Sequence, residues 1–187
     1  MSLKITSRRF IHCLSVLVIG ALVLSSNCKQ APDSNAGPFG KESTGEEVTA
    51  GIDLSGKTFL ITGANSGLGY ETMRVLAMRG AHIIAVARTM KKAQKACDSI
   101  EGKTTPVACE LSDFNSIVES TETIKGLNTP IDVLICNAGI MELPELEQVY
   151  GMEKQFVVNY LGHFILTNRL LDQVKAADQG LSLIHIS

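Results

Sequence analysis

The sequence predicts a doubly wound α/β fold, a parallel sheet with helices on both faces, of which the chain carries the N-terminal part. From Asp53 onward, short apolar segments alternate with longer helix-like segments, an order typical of parallel strands joined by crossover helices. The segment Ala81–Ala87 is almost continuously apolar, as a strand buried on both faces requires. The glycine-rich run Thr62–Gly69 separates the first apolar segment from a helix-like one.

The predicted elements follow changes in the hydrophobic pattern. Helices begin after residues suited to cap them, as Asp113 or Ser112 is for the third helix. The predicted strands are Thr58–Thr62, Ala81–Ala87, Thr105–Glu110 and Ile131–Cys136. The predicted helices are Leu68–Arg79, Met90–Ile100, Asp113–Lys125 and a long stretch from Glu147 to about Ala177, with or without a break near Gly162.

Residues 1–28 are expected to lie outside this fold and to act as an export signal. Lys4, Arg8 and Arg9 are positive, and the apolar run Leu14–Leu24 is too short to span a bilayer comfortably. The two arginines leave the general secretory and twin-arginine routes both open. Ser25–Cys28 resembles a bacterial lipoprotein signal whose cysteine takes the lipid. An uncleaved membrane anchor is the alternative.

Residues 29–50 are predicted to be a flexible linker, because they are rich in Pro, Gly and polar residues and lack a helical or strand period. The domain itself is assigned to residues 51–180. We therefore expect an exported, membrane-anchored or periplasmic bacterial protein. It would touch the membrane through residues 1–28 only.

Composition excludes some partners and leaves others open. The chain has 187 residues, a formal net charge of −2 and no Trp, which argues against nucleic acid as a partner. Cys97, Cys109 and Cys136 lack the spacing of a metal site and are expected to be small buried residues. No metal is predicted.

The run Thr62–Gly69 predicts a phosphate-binding turn. Its spacing is Thr-Gly-x-x-x-Gly-x-Gly, and three glycines alone would also fit an ordinary tight turn. The strand before it and the helix after it favour a nucleotide, because backbone N–H groups at a helix N-terminus attract phosphate.

Three motifs together resemble the short-chain dehydrogenase/reductase family over about residues 54–180. They are Thr62–Gly69, Cys136–Gly139 after the fourth strand, and Val158–Phe164. Within this family, the sequence of Asn159–Leu171 is most similar to the branch that includes retinol dehydrogenases and protochlorophyllide reductases. The resemblance implies a Rossmann fold, a nicotinamide cofactor and an alcohol or carbonyl substrate. It also implies a homo-oligomer for the full-length protein.

The resemblance also assigns cofactor contacts. Gly63 would permit the turn, Gly67 the approach of the pyrophosphate, and Gly69 the packing of helix on strand. Asn137 would tie the fourth strand to the phosphate turn, while Cys136, which replaces an asparagine, would point into the core. The implied cofactor-binding residues are Gly63, Asn65, Ser66, Gly67, Leu68, Gly69, Asn137, Ala138 and Gly139, together with Arg88, Glu110 and Leu111.

The end of the second predicted strand favours NADP over NAD. NAD-binding folds place an acidic residue there to accept a hydrogen bond from the ribose 2′-hydroxyl. This chain has Arg88 instead, whose guanidinium suits a 2′-phosphate. Lys91 and Lys92 add positive charge. A solvated charged turn is the alternative.

Two later assignments also rest on the resemblance. Glu110 stands where the family has an aspartate, so Leu111 and the backbone beside it are assigned to the adenine pocket; a surface carboxylate is the alternative for Glu110. Asn159 matches the catalytic asparagine, which holds a water in the family's proton relay. A side chain bonded to its own helix backbone is the alternative. His163 is expected to pack or face solvent.

The family's acid/base pair, Tyr-x-x-x-Lys, is missing from its expected place. Tyr150 and Lys154 have the spacing but precede Asn159, whereas the family's pair follows it. The chain as written is therefore expected to be inactive. The sequence favours an NAD(P)-dependent oxidoreductase that transfers hydride between nicotinamide and an alcohol or carbonyl. A non-catalytic nucleotide-binding or redox-sensing protein of the same fold is the alternative.

The last seven residues, Leu181–Ser187, have the letters of a translated transposase mosaic-end sequencing adapter. This predicts a non-native tail after Gly180. A native fifth strand is the alternative, and it would place Ser187 where the family's serine is expected.

Overall fold

The structure, a computed structural model, describes residues 39–184. The predicted export signal or anchor, the linker up to residue 38 and residues 185–187 lie outside the described residues. Residues 39–43 contain a turn in which the Ser43 N–H donates to the Gly40 carbonyl at 3.0 Å. A separate unit begins at Thr44. Among the helices described, none is long and apolar enough to cross a membrane.

The strands form one parallel sheet and one short hairpin. They are β1 (Thr58–Thr62), β2 (His82–Ala87), β3 (Thr104–Ala108), β4 (Val133–Cys136), β5 (Gln148–Val149), β6 (Met152–Glu153) and β7 (Leu181–Ile184). The sheet order is β3-β2-β1-β4-β7 with every pair parallel, and β5 and β6 pair antiparallel. The strand order reverses between β1 and β4, where such folds have their ligand crevice. The predicted fold class is confirmed.

Helices cover both faces of the sheet. They are α1 (Gly45–Val48), α2 (Gly67–Met78), α3 (Met90–Asp98), α4 (Phe114–Gly126), α5 (Lys154–Phe156), α6 (His163–Arg169) and α7 (Leu171–Lys175), and a π-helical turn at Val157–Gly162 joins α5 to α6. Asp113 caps α4 as predicted, since its carboxylate accepts the Asn115 N–H at 2.9 Å. The first three predicted helices are right to within two residues at each end.

Each face of the sheet carries its own apolar core, because alternate strand residues point to opposite sides. On one face, Leu60, Ile84 and Leu134 pack against α4, α6 and α7. On the other, Ile61 and Ile83 pack against α2 and α3. Every residue of β1 and β2 is buried, as the apolar run in β2 predicts.

The predicted linker requires a correction, because α1 lies inside it. The Thr44 hydroxyl accepts the Glu47 N–H at 3.2 Å, and the Glu47 carboxylate accepts the Thr44 N–H at 2.8 Å. Glu46 also pairs with Arg74 of α2 at 2.6 Å. This reciprocal capping and the ion pair order a turn where the composition predicts flexible chain.

The long helix predicted from Glu147 is wrong in its first part. Residues 148–153 form the β5–β6 hairpin, whose turn residues Tyr150 and Gly151 both have positive φ, 55° and 73°. Helical structure begins only after Glu153, whose carboxylate accepts backbone N–H groups at 2.8 and 2.6 Å. The break considered near Gly162 is a π-helical turn inside a continuous helix, not an interruption.

The tail contributes the edge strand β7, which pairs with β4 from Leu181 opposite Val133 to Ile184 opposite Cys136. Its residues are about half exposed, with Leu183 at 46%, because no described element covers this edge. A native fifth strand, the alternative to a non-native tail, would occupy this same position beside β4. The non-native origin of the tail stays a prediction.

Candidate functional site at the carboxyl ends of the strands

The glycine-rich run connects β1 to α2 through a turn with left-handed backbone. Gly63 has φ of 70° and Gly67 of 55°, a region that glycine enters without penalty. A Cβ at Gly69 would collide with the Gly63 carbonyl. The helix therefore lies directly on the turn, as the spacing of the three glycines predicts.

The N-terminus of α2 lies at this turn and has backbone N–H groups available to bind an anion. In the described structure Ser66 occupies the cap position but makes no capping hydrogen bond with its side chain. The backbone N–H groups of the first turn are thus left for another acceptor. Leu68 in that turn is 78% exposed. A helix N-terminus of this kind favours phosphate through its N–H groups and dipole.

Thr62 and Asn137 join the ends of β1 and β4. The Asn137 side-chain amide donates to the Thr62 carbonyl at 2.9 Å. The Thr62 hydroxyl accepts the backbone N–H groups of Asn137 and Ala138, each at 3.0 Å. Thr62 is only 1% exposed. The expected connection between the fourth strand and the phosphate turn is therefore present. Thr62 supplies the acceptors, and Asn137 and Ala138 supply the donors.

Asn159 is held by a neighbouring segment and not by its own helix. Its side-chain oxygen accepts the Ile140 N–H at 2.9 Å, and its side-chain nitrogen donates to the Ile140 carbonyl at 2.8 Å. The interpretation in which it bonds its own helix backbone is wrong. Both amide atoms fix the chain that follows β4 against the π-helical turn.

His163 is buried behind this arrangement, with 2% exposure. Its Nε2 lies 2.9 Å from the Thr62 hydroxyl and its Nδ1 lies 3.1 Å from the Asn159 carbonyl oxygen. Burial lowers the pKa of the ring, against a smaller raising effect of the Asn159 carbonyl. Of the two expected positions, packed or solvent-facing, the structure has the packed one.

The ends of β2 and β3 carry charges. Arg88 Nε lies 3.2 Å from a Glu110 carboxylate oxygen, and the Arg88 side chain is 61% exposed. The other Glu110 oxygen accepts the Ser112 N–H at 3.1 Å and its hydroxyl at 2.8 Å. Glu110 therefore stands beside the arginine that the sequence assigns to a 2′-phosphate, a pairing that the sequence did not predict.

These groups border one cleft of about 420 Å³, within the range of small-ligand sites. All the predicted cofactor-binding residues line it except Gly67, which lies in the adjoining turn. Asn159 is not in the lining but is bonded to Ile140, which is. The other lining residues are Thr62 and Lys92, which the sequence placed in the phosphate run and near Arg88, and five that it did not assign: Val86, Ala87, Cys109, Ile140 and Val158. Most of these lie at or just past strand ends, where parallel sheets bind ligands.

Tyr150 and Lys154 do not form an acid/base pair in this cleft. The Tyr150 ring stacks on Phe114 with centroids 4.4 Å apart, and Lys154 pairs with Glu147 at 2.6 Å. Cys136 is buried, and burial raises the pKa of its thiol. A buried thiol of this kind is inert, which agrees with the core position expected for it.

A parallel sheet with a glycine turn, an uncapped helix and a cleft at the strand-order reversal defines a nucleotide-binding α/β protein. Residues 57–187 match the family model described as short chain dehydrogenase. The chain therefore belongs to the short chain dehydrogenase family, as its three motifs predict.

Individual relatives agree with this membership. The chain is 40% identical over 144 residues to short-chain dehydrogenase TIC 32 B, chloroplastic, of Brassica napus, covering 74% of this chain and 45% of the relative. It is 40% identical over 139 residues to retinol dehydrogenase 13 of Homo sapiens, covering 72% and 42%. A 3-ketoacyl-(acyl-carrier-protein) reductase structure from Brucella melitensis, complexed with NADH, superposes with a TM-score of 0.57 at 28% identity, covering 66% and 52%. The chain spans less than half the length of these two curated relatives.

Proposed function

We propose that the chain is the cofactor-binding part of an NAD(P)-dependent oxidoreductase that transfers hydride between nicotinamide and an alcohol or carbonyl. The observation that carries this proposal is the turn at Gly63 and Gly69. It brings α2 against the strand end and leaves a helix N-terminus for the pyrophosphate. The bound dinucleotide would supply the hydride acceptor or donor. The residues of the chain bind and orient it.

The two sides of the cleft have different parts in this proposal. Thr62 and Asn137 fix the turn at Ala138 and Gly139, which would pass under the adenosine ribose. Leu111 would contact the adenine. Asn159, bonded to Ile140, would hold the water of the proton relay. No role in the chemistry is given to Tyr150 or Lys154, which contact α4 and Glu147 instead.

The preference for NADP is part of the proposal. Arg88 and Lys92 both line the cleft. A guanidinium can donate two parallel hydrogen bonds to the oxygens of a 2′-phosphate. Glu110 occupies the Nε side of Arg88, which leaves the terminal guanidinium nitrogens for a phosphate.

The test is a titration of the full chain with NADPH and NADH. Because the chain has no Trp, the cofactor's own fluorescence or calorimetry is the signal. We expect tighter binding of NADPH, and Arg88→Asp to weaken NADPH at least tenfold, about 1.4 kcal/mol, while NADH binding changes little. Lys95→Asp, the same charge change on the exposed side of α3, is the control.

Two results would count against the proposal. Binding of neither nucleotide would reject a nicotinamide site altogether. Equal weakening of both nucleotides by Arg88→Asp would reject the 2′-phosphate contact while leaving the dinucleotide site intact.

Catalysis requires a separate experiment on the complete gene product. Genomic sequence across Gly180 shows whether the chain continues there as written, and the encoded protein is then assayed with NADP(H) on a panel of alcohols and aldehydes. Turnover supports the oxidoreductase. Binding without turnover on the whole panel favours the non-catalytic nucleotide-binding or redox-sensing alternative.

The proposed location is the bacterial envelope, with residues 1–28 as signal or anchor, and the proposed assembly is a homo-oligomer. Both proposals rest on the sequence and the resemblance. Cell fractionation with and without residues 1–28 tests the first. Light scattering on the complete gene product tests the second.

A further inference from the structure

The Thr62 hydroxyl defines the protonation state of His163. It accepts two backbone N–H groups, from Asn137 and Ala138 at 3.0 Å each. Its own proton must then go to another acceptor. His163 Nε2 lies at 2.9 Å, while the alternative, the Ile135 carbonyl, lies at 3.5 Å. The shorter contact takes the proton, so Nε2 is the acceptor.

The other ring nitrogen follows from this assignment. In a neutral imidazole with Nε2 as acceptor, Nδ1 carries the hydrogen. It can donate to the Asn159 carbonyl at 3.1 Å. The ring thus connects two groups that are far apart in the chain: Thr62, whose hydroxyl holds the Asn137-Ala138 turn, and Asn159 in the π-helical turn.

We infer that His163 is a positioning residue: as the neutral Nδ1–H tautomer, it fixes the spacing between the Asn137-Ala138 turn and Asn159. This inference rests on the proposed function, since that turn and Asn159 are assigned there to ribose and proton relay. His163 is not part of the cleft lining and acts through Thr62 and Asn159. Its loss should therefore weaken cofactor binding without removing any cofactor contact.

The first test reads the tautomer directly. Nitrogen-15 NMR of the full chain, labelled at histidine, should show one neutral ring with a protonated Nδ1 and an unprotonated Nε2, assigned by its absence in His163→Asn. The opposite tautomer, or a charged ring at pH 7, overturns the inference. This measurement needs no nucleotide, so it gives an answer even if the proposed function fails.

The second test separates positioning from simple packing. His163→Leu removes both hydrogen bonds, whereas His163→Asn can keep a donor near the Nδ1 position. We expect the NADPH dissociation constant of the folded protein to rise at least tenfold in His163→Leu and less in His163→Asn. His82→Gln is the control, because His82 bonds Thr105 at 2.8 Å at the start of β2, the end of the strand away from the cleft.

A double-mutant cycle with Thr62→Val completes the test. If His163 acts through the threonine hydroxyl, the two substitutions should not have independent effects. The factor by which Thr62→Val and His163→Leu together raise the NADPH dissociation constant should be at least threefold smaller than the product of the two single-variant factors. Unchanged affinity in His163→Leu, or affinity losses that simply multiply, would leave His163 a packing residue. Wild-type chain that binds neither nucleotide would reject the proposed function instead.

Discussion

The two sides of the cleft are built from different interactions. At the ends of β1 and β4, an uncharged hydrogen-bond network joins the buried Thr62 and His163 to the partly buried Asn137. At the ends of β2 and β3, Arg88 and Glu110 form an ion pair with the arginine side chain 61% exposed. Buried networks are costly to break because each group left unpaired keeps its desolvation penalty, whereas exposed pairs contribute little. The first side therefore sets geometry, and the second could adjust the proposed cofactor selectivity at small cost to stability.

The largest expected effect is at Gly69, on the buried side. In Gly69→Val the new side chain must displace the Gly63 carbonyl or the Asn137 amide, because a Cβ already collides there. Overpacking of this kind costs about 1–3 kcal/mol or more. We expect a lower midpoint of urea unfolding and loss of measurable nucleotide binding.

Gly126→Ala is the matched control for Gly69→Val. Gly126 is the last residue of α4, and a Cβ there meets nothing within 4 Å. It should leave nucleotide affinity unchanged. Native stability and affinity in Gly69→Val would mean that α2 can move away from the turn, and the buried side would not be rigid.

Asn137→Ala should have the next largest effect. It removes the donor to the Thr62 carbonyl while the strand ends stay buried, so we expect a loss of about 1–3 kcal/mol in the free energy of unfolding. Asn168→Ala is the control, since the Asn168 side chain donates to the Phe164 carbonyl one turn away on an exposed surface. Equal losses in the two variants would mean that the Asn137 hydrogen bond costs no more to break than an exposed one.

The buried side should also respond to pH. Burial lowers the pKa of His163 and, with Lys103 as a smaller cause, that of His82. The unfolded chain therefore takes up protons first, below its pKa of about 6.5, and stability falls as pH decreases from there through the folded pKa values. Urea unfolding between pH 7.5 and 5.5 should show this loss.

His163→Asn isolates the contribution of that ring to the pH dependence. The variant has one titrating group fewer, so its free energy of unfolding should fall less steeply below pH 6.5 than that of the wild type. The two slopes should differ by at most about 1.4 kcal/mol per pH unit. Parallel pH profiles for variant and wild type would mean that the buried His163 is protonated as readily as in the unfolded chain.

Local signals account for what the sequence predicted well. The glycine spacing, the apolar run of β2 and the capping residue Asp113 act within one element, so the strands and helices themselves could be anticipated. Most of the cleft-lining residues were anticipated through the family resemblance. The turn α1 also had a readable signal, the Thr44-x-x-Glu47 capping box. The polar composition around it predicted a flexible linker instead.

Other features depend on contacts that no short pattern carries. The hairpin at residues 148–153 was assigned to a helix, although Tyr150-Gly151 is a turn that stacks on Phe114, 36 residues away. His163 meets Thr62 across 101 residues. Its role could be seen only once β1, β4 and the π-helical turn were together in space.

Glu110→Gln should have the smallest effect and tests the exposed side. It removes the charge beside Arg88 but keeps an oxygen that can accept from Ser112. An exposed pair contributes about 0.2–1 kcal/mol, so stability should barely change. The Glu110 carboxylate would repel the 2′-phosphate that we propose at Arg88. Its removal should therefore raise NADPH affinity by no more than about fivefold, raise NADH affinity less, and have a smaller effect in high salt. Weaker NADPH binding in Glu110→Gln would instead assign the carboxylate to holding the guanidinium in place. In that case both sides of the cleft would set geometry, and the contrast between them would be one of burial alone.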